Sequence, residues 1–145
     1  MPIPTNPLIV TGAFGAGLPA ELVADALARG LREGGRPAPD LCPLEAGEWR
    51  GPTPAELTAL DIDTRIRHAR AVILGEWLLQ ERTLAGSATF EIATRARQSG
   101  VPSYAVTGEN RLSAFDARIL DLQLILTARD ARQLTAAGRK LASVL

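Results

Sequence analysis

The sequence predicts an α/β fold in which a mostly parallel sheet carries helices on both faces, and three observations support this prediction. Short apolar segments alternate about five times with segments of helical periodicity along the 145-residue chain. One apolar segment, residues 71–74 (Ala-Val-Ile-Leu), is uninterrupted, as expected for a central parallel strand buried on both faces. The length and the apolar fraction of 46% suit one hydrophobic core. We therefore expect a single three-layer α/β/α domain over residues 1–145, with a sheet of about five strands.

The first strand and the first helix are joined by a glycine-rich turn. Residues 8–11 (Leu-Ile-Val-Thr) form the expected strand, and residues 12–17 (Gly-Ala-Phe-Gly-Ala-Gly) form the turn. The helix that follows accepts Pro19 in its first turn and ends at Gly34 and Gly35. The positions of its apolar stripe are Leu22, Val23, Ala26, Leu27 and Leu31.

The middle of the chain is predicted to contain a second strand and two short helices. A short strand is expected near Leu41, followed by a loop at residues 45–48. Thr53 and Glu56 have the spacing of a capping box, which predicts the start of a helix. A second short helix is expected over residues 64–69, directly before the uninterrupted apolar strand.

A long loop and a helix with small side chains are predicted after the central strand. The loop is expected to run from Gly75 to about Thr83. Small residues on one face of the next helix would let it lie close to the sheet. The residues on that face are Ala85, Ala88, Ile92, Ala93 and Ala96.

Two further strand–helix units complete the predicted fold. Strands are expected at residues 103–106 and 122–126. Ser113 and Asp116 form a capping box for a short helix, and residues 127–130 (Thr-Ala-Arg-Asp) cap the last helix. The stripe of this last helix comprises Leu134, Ala137, Leu141 and Leu145.

Composition excludes several classes of function. The formal net charge is zero, which argues against a nucleic-acid partner because such proteins present a basic face. No apolar run approaches the roughly 20 residues that a membrane-spanning helix needs. Cys42 is the single cysteine, and the N-terminal residues lack the features of a signal peptide. We therefore expect a cytoplasmic protein.

Two segments in the first third of the chain resemble the glycerate kinase family, whose members phosphorylate a small hydroxy acid from ATP. Residues 9–20 and the Ala-rich helix after them resemble the family's opening strand, Asp-Ser-Phe-Lys-Gly-Ser-Leu-Ser-type turn and helix. In this alignment the family's Asp falls on Gly12 and its Lys falls on Gly15. Residues 43–48 are similar to the family's Asp-Gly-Gly-Glu-Gly-Thr loop, with Glu45 in place of the Asp and with Glu48 matching.

A third and longer segment resembles the family's Gly-Glu-Gly-Arg-Leu-Asp motif and the residues that lead to it. Here the motif reads Gly-Glu-Trp-Leu-Leu-Gln over residues 75–80. The family's downstream Gln-Thr-Leu-x-Gly-Lys reads Arg-Thr-Leu-Ala-Gly-Ser over residues 82–87. The resemblance implies a Rossmann-like fold similar to the discontinuous domain of glycerate kinase. It also implies that the family's middle domain is absent around residues 51–59, and with it one side of the active-site cleft.

The resemblance also implies a loss of the charges that phosphoryl transfer requires. That reaction depends on cations at the phosphates, a metal held by carboxylates and a group that orients the attacking hydroxyl. The positions that carry an acid, a lysine, an arginine, a second acid and a second lysine in the family hold Gly12, Gly15, Leu78, Gln80 and Ser87. The leading hypothesis is therefore a non-catalytic relative, a pseudoenzyme that binds a small ligand or a partner and has no catalytic or metal-ligating residues.

Two alternatives remain open from the sequence. An active phosphotransferase for a small hydroxy acid, using ATP and Mg²⁺, would have to complete its cleft by forming a homodimer. A nucleotide-binding module is the other alternative. The turn of residues 12–17 is not a dinucleotide-binding fingerprint, because its glycine spacing is not Gly-x-Gly-x-x-Gly.

Several residues are candidates for binding. Backbone amides at Gly12, Gly15 and Gly17, before a helix N-terminus, could hold a small anionic ligand, although a strand-to-helix turn also needs glycine for its geometry. Thr83 and Ser87, before the next helix, could act similarly. Metal binding by Glu45, Glu48 and Glu76 would require the fold to bring them together.

Two tryptophans are candidates for an interface. Trp49 and Trp77 are expected in loops where the family has glycine, and there they would cover apolar surface or contact a second subunit. His68 is interpreted as an ordinary surface residue, and Cys42 as a small buried filler.

Overall fold

The computed structural model describes residues 4–15, 17–44, 53–81 and 87–145, and the statements below concern those residues. Five strands form one sheet in the order β2-β1-β3-β4-β5, and every neighbouring pair is parallel. The strands are β1 (Leu8–Thr11), β2 (Asp40–Pro43), β3 (Val72–Leu79), β4 (Ser103–Asn110) and β5 (Leu122–Thr127). The predicted α/β class and the five-stranded parallel sheet are confirmed.

The described residues form six helices, which lie on both faces of the sheet. They are α1 (Ala20–Glu33), α2 (Pro54–Ala59), α3 (Ile62–Arg67), α4 (Ala88–Gln98), α5 (Ala114–Ile119) and α6 (Ala131–Ala142). Buried residues of α1 and α6 form one apolar cluster, and those of α2, α3 and α4 form another. The sheet between these two clusters makes the three layers that the sequence predicts.

Side-chain alternation along the central strands divides the core in two. Val72 and Leu74 belong to the cluster beneath α2, α3 and α4, whereas Ile73 belongs to the cluster beneath α1 and α6. All three side chains are fully buried, as their uninterrupted apolar sequence predicts for a parallel strand covered on both faces.

Helices α1 and α6 approach each other closely because two glycines face each other across their interface. A Cβ atom on Gly30 would overlap the backbone carbonyl oxygen of Thr135, and one on Gly138 would overlap that of Leu27. An ion pair also links the two helices: Arg139 Nη1 of α6 donates a 2.9 Å hydrogen bond to Glu33 Oε1 of α1.

Two of the sequence predictions about β3 and β4 are wrong. The segment after residue 74 is not a loop, because β3 continues to Leu79, and β4 likewise continues beyond residue 106 to Asn110. The two extensions pair with each other, with Glu76 beside Thr107 and Leu78 beside Glu109. These strand ends are stabilised by pairing with each other, which the local sequence does not indicate. A prediction from the run of apolar residues therefore made both strands too short.

Helix boundaries agree with most of the predicted caps. Thr53 and Glu56 form the reciprocal capping box, and Ser113 Oγ accepts a hydrogen bond from the Asp116 amide. The cap of α6 is Asp130 at the end of the predicted segment, since Asp130 Oδ1 accepts a 2.8 Å bond from the Gln133 amide.

The predicted stripe of α1 is wrong at one position. Leu22 is 50% exposed, whereas the other four predicted positions are buried. The predicted helix over residues 64–69 is α3, which begins two residues earlier and ends at Arg67. Among the described residues, none of the helices combines the length and apolarity that crossing a bilayer requires.

Candidate ligand-binding edge of the sheet

The carboxyl ends of β1 and β3 form the natural place for a site. β1 lies between β2 and β3 in the sheet. The connection that follows β1 therefore runs over one face of the sheet, and the connection that follows β3 runs over the other. In open parallel sheets such a reversal opens a crevice beyond the carboxyl ends of the strands. Here it adjoins the β1–α1 turn and the extended end of β3, which contain several of the candidate residues.

The β1–α1 turn satisfies much of its own hydrogen bonding. The Gly12 amide donates to the Gly75 carbonyl oxygen at 2.9 Å, and the Phe14 amide donates to the Leu18 carbonyl oxygen at 2.8 Å. Gly15 has a φ of 72°, a backbone conformation that favours glycine. The structure thus gives Gly12 and Gly15 backbone roles, and neither role requires a bound anion.

The start of α1 carries a negative rather than a positive side chain. Pro19 is the N-cap residue and makes no side-chain capping bond, and Glu21 lies in the first turn. A carboxylate there interacts favourably with the helix dipole and competes with an anionic ligand for the same end. The sequence from residue 8 to residue 28 contains no lysine or arginine that could neutralise a phosphate.

Glu76 and Ser87 both lie near the start of α4. Glu76, half-buried on β3, accepts a short hydrogen bond from the hydroxyl of Thr89, a fully buried residue of α4. Ser87 is the N-cap of this helix, and its Oγ accepts a 3.2 Å bond from the Phe90 amide. The structure therefore brings two predicted candidates into one neighbourhood and gives each of them a local partner.

Trp77 covers the ends of the central strands. Its ring lies against Gly108 so closely that a Cβ on that glycine would overlap the ring. The ring also meets Phe14 edge to face, with 5.7 Å between ring centroids and 64° between ring planes. The side chain remains 40% exposed, whereas Phe14 is buried. Trp77 therefore lies in a strand rather than in the predicted loop, and its ring packs on Phe14 and Gly108.

Sequence analysis missed three residues of this edge. Thr107 is fully buried and donates hydrogen bonds to the carbonyl oxygens of Trp77 and Glu109, at 3.2 and 3.0 Å. Arg129 Nε donates a 2.9 Å bond to the Gly108 carbonyl oxygen, which anchors a guanidinium at the carboxyl end of β4. The third residue is Gly108 itself. Arg129 follows the last predicted strand closely. This position was the available indication that it belongs to the edge, since the carboxyl ends of the strands meet there.

Four other candidates lie outside the described residues, and a fifth lies in the β1–α1 turn. Glu45, Glu48, Trp49 and Thr83 are outside the described residues. Gly17 lies in the turn before α1, where a Cβ would meet no atom within 4 Å. Among the described residues, no three histidine, cysteine, aspartate or glutamate side chains converge in a way that could hold a metal ion.

Cys42 and His68 behave as predicted from the sequence. Cys42 is buried in the core and His68 is exposed. Near Cys42, the Arg65 guanidinium donates two hydrogen bonds to the Asp40 carboxylate, at 2.8 and 2.7 Å. This hydrogen bonding raises the pKa of Arg65 above its ordinary value, against the opposing effect of its burial.

The fold and this edge together define a doubly wound α/β domain whose polar and aromatic side chains collect at the carboxyl ends of β1, β3 and β4. The profile of the glycerate kinase family matches residues 53–143. The chain therefore belongs to the glycerate kinase family. No curated protein matches the sequence.

Solved structures similar to this chain include one of a kinase and one of a flavoprotein. A protein assigned as glycerate kinase 2 from Salmonella typhimurium LT2 has 16% identity and a TM-score of 0.45. The match covers 62% of this chain and 24% of that protein, so the chain spans about a quarter of its length. The diflavin flavoprotein A3 from Nostoc sp. has 12% identity and a TM-score of 0.54, with 99% of this chain and 94% of that chain covered. At this identity the second likeness shows the fold alone.

Proposed function

We propose that this member of the glycerate kinase family transfers no phosphate and instead binds a small anionic ligand at the carboxyl edge of its sheet. One observation carries the proposal. By the resemblance, five positions that are charged in the family hold uncharged residues in this chain, and they lie along this edge. The five are Gly12, Gly15, Leu78, Gln80 and Ser87.

The geometry around those positions supports the absence of a phosphate-transfer site. Ser87, which replaces the family's second lysine, acts as the N-cap of α4. Gly12 bonds to Gly75 across the sheet, and Gly15 occupies a tight turn. A phosphoryl group in transfer needs fixed positive charge from side chains or metal, and loss of such a group costs orders of magnitude in rate.

The described residues do not fit a magnesium–ATP complex. Glu76 is the acid of the family motif that persists, and one of its oxygens is engaged by the Thr89 hydroxyl. Among the described residues, Glu76 belongs to no group of three histidine, cysteine, aspartate or glutamate side chains that could hold a metal ion. We therefore derive no catalytic step through ATP or magnesium.

The same edge retains features suited to binding. Arg129 supplies a positive charge and is bonded to the carbonyl oxygen of Gly108. The Trp77 ring packs on the same glycine and presents an exposed aromatic surface. An exposed ring beside an anchored guanidinium can bind a small acid by stacking together with charge-assisted hydrogen bonds. Trp77 is held by the pairing of β3 with β4 and Arg129 by its bond to Gly108, so little ordering is needed on binding.

A turnover assay tests the first half of this proposal. Purified protein with ATP, Mg²⁺ and glycerate is expected to give no turnover above that of the blank. Robust turnover that falls in Glu76→Gln would overturn the proposal, since a contaminating kinase would not respond to that substitution.

A fluorescence titration tests the second half. Glycerate and ATP are added separately while tryptophan emission is followed, and at least one of them is expected to change the emission of the wild-type protein. Trp77→Phe should abolish the change, whereas Trp49→Phe should preserve it. No response to either compound in the wild type contradicts ligand binding at this edge.

A further inference from the structure

A groove runs between the solvent-facing side chains of α1 and α6. The two helices lie parallel, because Gly30 contacts Gly138 and, four residues further along each segment, Gly34 lies against Ala142. Above this glycine contact the side chains of the two helices enclose a space of about 370 Å³. A space of this size is at the lower end of the range for small-molecule sites.

Three arginines and one glutamate supply the charges of this groove. Arg29 and Glu33 lie one turn apart on α1, and Arg132 and Arg139 lie two turns apart on the side of α6 that faces them. The uncharged lining residues are Ala131 and Thr135. Positive charge therefore exceeds negative charge in the groove, although the whole chain has a formal net charge of zero.

The one carboxylate of the groove is shared by two of its arginines. Glu33 Oε1 accepts the 2.9 Å bond from Arg139 Nη1, and Glu33 Oε2 lies 3.7 Å from Arg29 Nε. The side chain of Arg132 makes no ion pair or hydrogen bond with the part of the chain that the structure describes. Glu33 thus offsets part of the positive charge, and the guanidinium of Arg132 remains without a counter-charge.

The charge and the donor geometry of this groove suit a phosphate group. Like charges that converge are unfavourable unless a counter-charge joins them. The helix contact does not require these arginines, because Gly30 and Gly138 make it through their backbones. A guanidinium presents its N–H donors in a plane and binds the oxygens of a phosphate in pairs. A phosphate monoester carries about two negative charges at neutral pH, which would balance the excess charge of the groove.

We propose that the groove between α1 and α6 is a second ligand site, which binds the phosphate group of a small molecule through Arg29, Arg132 and Arg139. In the free protein the Glu33 carboxylate occupies two of these guanidiniums and competes with the phosphate for them. The groove shares no lining residue with the carboxyl edge of the sheet, so this proposal does not rest on the proposed function.

Calorimetric titration with inorganic pyrophosphate, in the absence of magnesium, is the primary test. The wild-type protein is expected to bind this probe saturably. Arg132→Gln is expected to raise the dissociation constant about tenfold, as for the loss of one charge-assisted contact. Arg118→Gln is the matched control, since Arg118 is an exposed residue of α5 outside the groove and its loss changes the net charge equally. It should bind pyrophosphate as the wild type does.

A variant with the opposite expected effect makes the test sharper. Glu33→Gln removes the competing carboxylate and is expected to tighten pyrophosphate binding, an effect that loss of a merely structural ion pair would not produce. The proposal would be overturned by a wild type without saturable binding at millimolar pyrophosphate, by equal weakening in Arg132→Gln and Arg118→Gln, or by weaker binding in Glu33→Gln. Binding that is lost in Arg129→Gln and kept in Arg132→Gln would also overturn it, while leaving the proposed function of the carboxyl edge intact.

Discussion

Individual residues at the carboxyl edge act in pairs that are distant in sequence. Trp77 packs on Gly108, and Glu76 accepts a hydrogen bond from Thr89, which lies 13 residues later in the chain, on α4. Each pair joins one residue that stood out in the sequence to one that did not. The reason is physical, since a glycine or a threonine becomes informative only when its neighbour in space is known.

The Thr89 hydroxyl is expected to contribute to stability through Glu76. Thr89→Val keeps the shape of the buried side chain and removes the donor to the carboxylate. We expect the free energy of unfolding to fall by about 1–3 kcal/mol, the range for losing a hydrogen bond to a charged group. Urea denaturation followed by circular dichroism measures this change.

The control for this prediction is the same substitution on the same helix. Thr94 is half-buried on α4, and Thr94→Val is expected to change stability by less than about 0.5 kcal/mol. Equal losses in the two variants would show that the Glu76–Thr89 bond contributes nothing of its own.

At the scale of elements, the extended ends of β3 and β4 create the candidate site. Glu76 and Trp77 are neighbours in β3 and, because strand side chains alternate, they point to opposite faces of the sheet. The carboxylate meets α4 on one face, and the ring meets Phe14 on the other. If this segment were a loop, as the local sequence suggests, neither arrangement would be fixed.

The contact between α1 and α6 is expected to depend on its glycines. Gly30→Ala places a Cβ against the backbone of α6, so the two helices must move apart. We expect a loss of about 1–3 kcal/mol in the free energy of unfolding, as for other overpacked interfaces. The midpoint of urea denaturation measures it.

Gly17→Ala is the matched control for Gly30→Ala. A Cβ at Gly17 would meet nothing within 4 Å, and its φ is not in the left-handed region. This variant should be neutral or slightly more stable, because alanine restricts the unfolded chain. A Gly30→Ala protein as stable as Gly17→Ala would contradict the close approach of the helices.

At the scale of the whole molecule, the two apolar clusters share one sheet and should unfold together. Ile92 belongs to the cluster beneath α4, and Leu134 belongs to the cluster beneath α1 and α6. We expect Ile92→Ala and Leu134→Ala each to cost about 2–5 kcal/mol. Circular dichroism and tryptophan fluorescence should give coincident transitions in both variants. Separate transitions for the two probes would mean that the faces unfold independently.

The class of fold, the central strand and most helix caps were predictable from the amino-acid sequence, because these follow from periodicity and from contacts within a few residues. Thr53 with Glu56 and Ser113 with Asp116 are such local pairs. It also pointed to the glycerate kinase family and to the loss of charge at five of its positions.

The folded structure was needed to show how far β3 and β4 extend, what Trp77 and Glu76 contact, and that Arg129 reaches the candidate edge. It also revealed that Arg65 bonds to Asp40 and Leu41 of the edge strand β2. All of these depend on residues that are far apart in the chain and meet only after folding. The local sequence pattern does not predict these contacts, because strand pairing and side-chain packing across the sheet are set by the energy of the whole core.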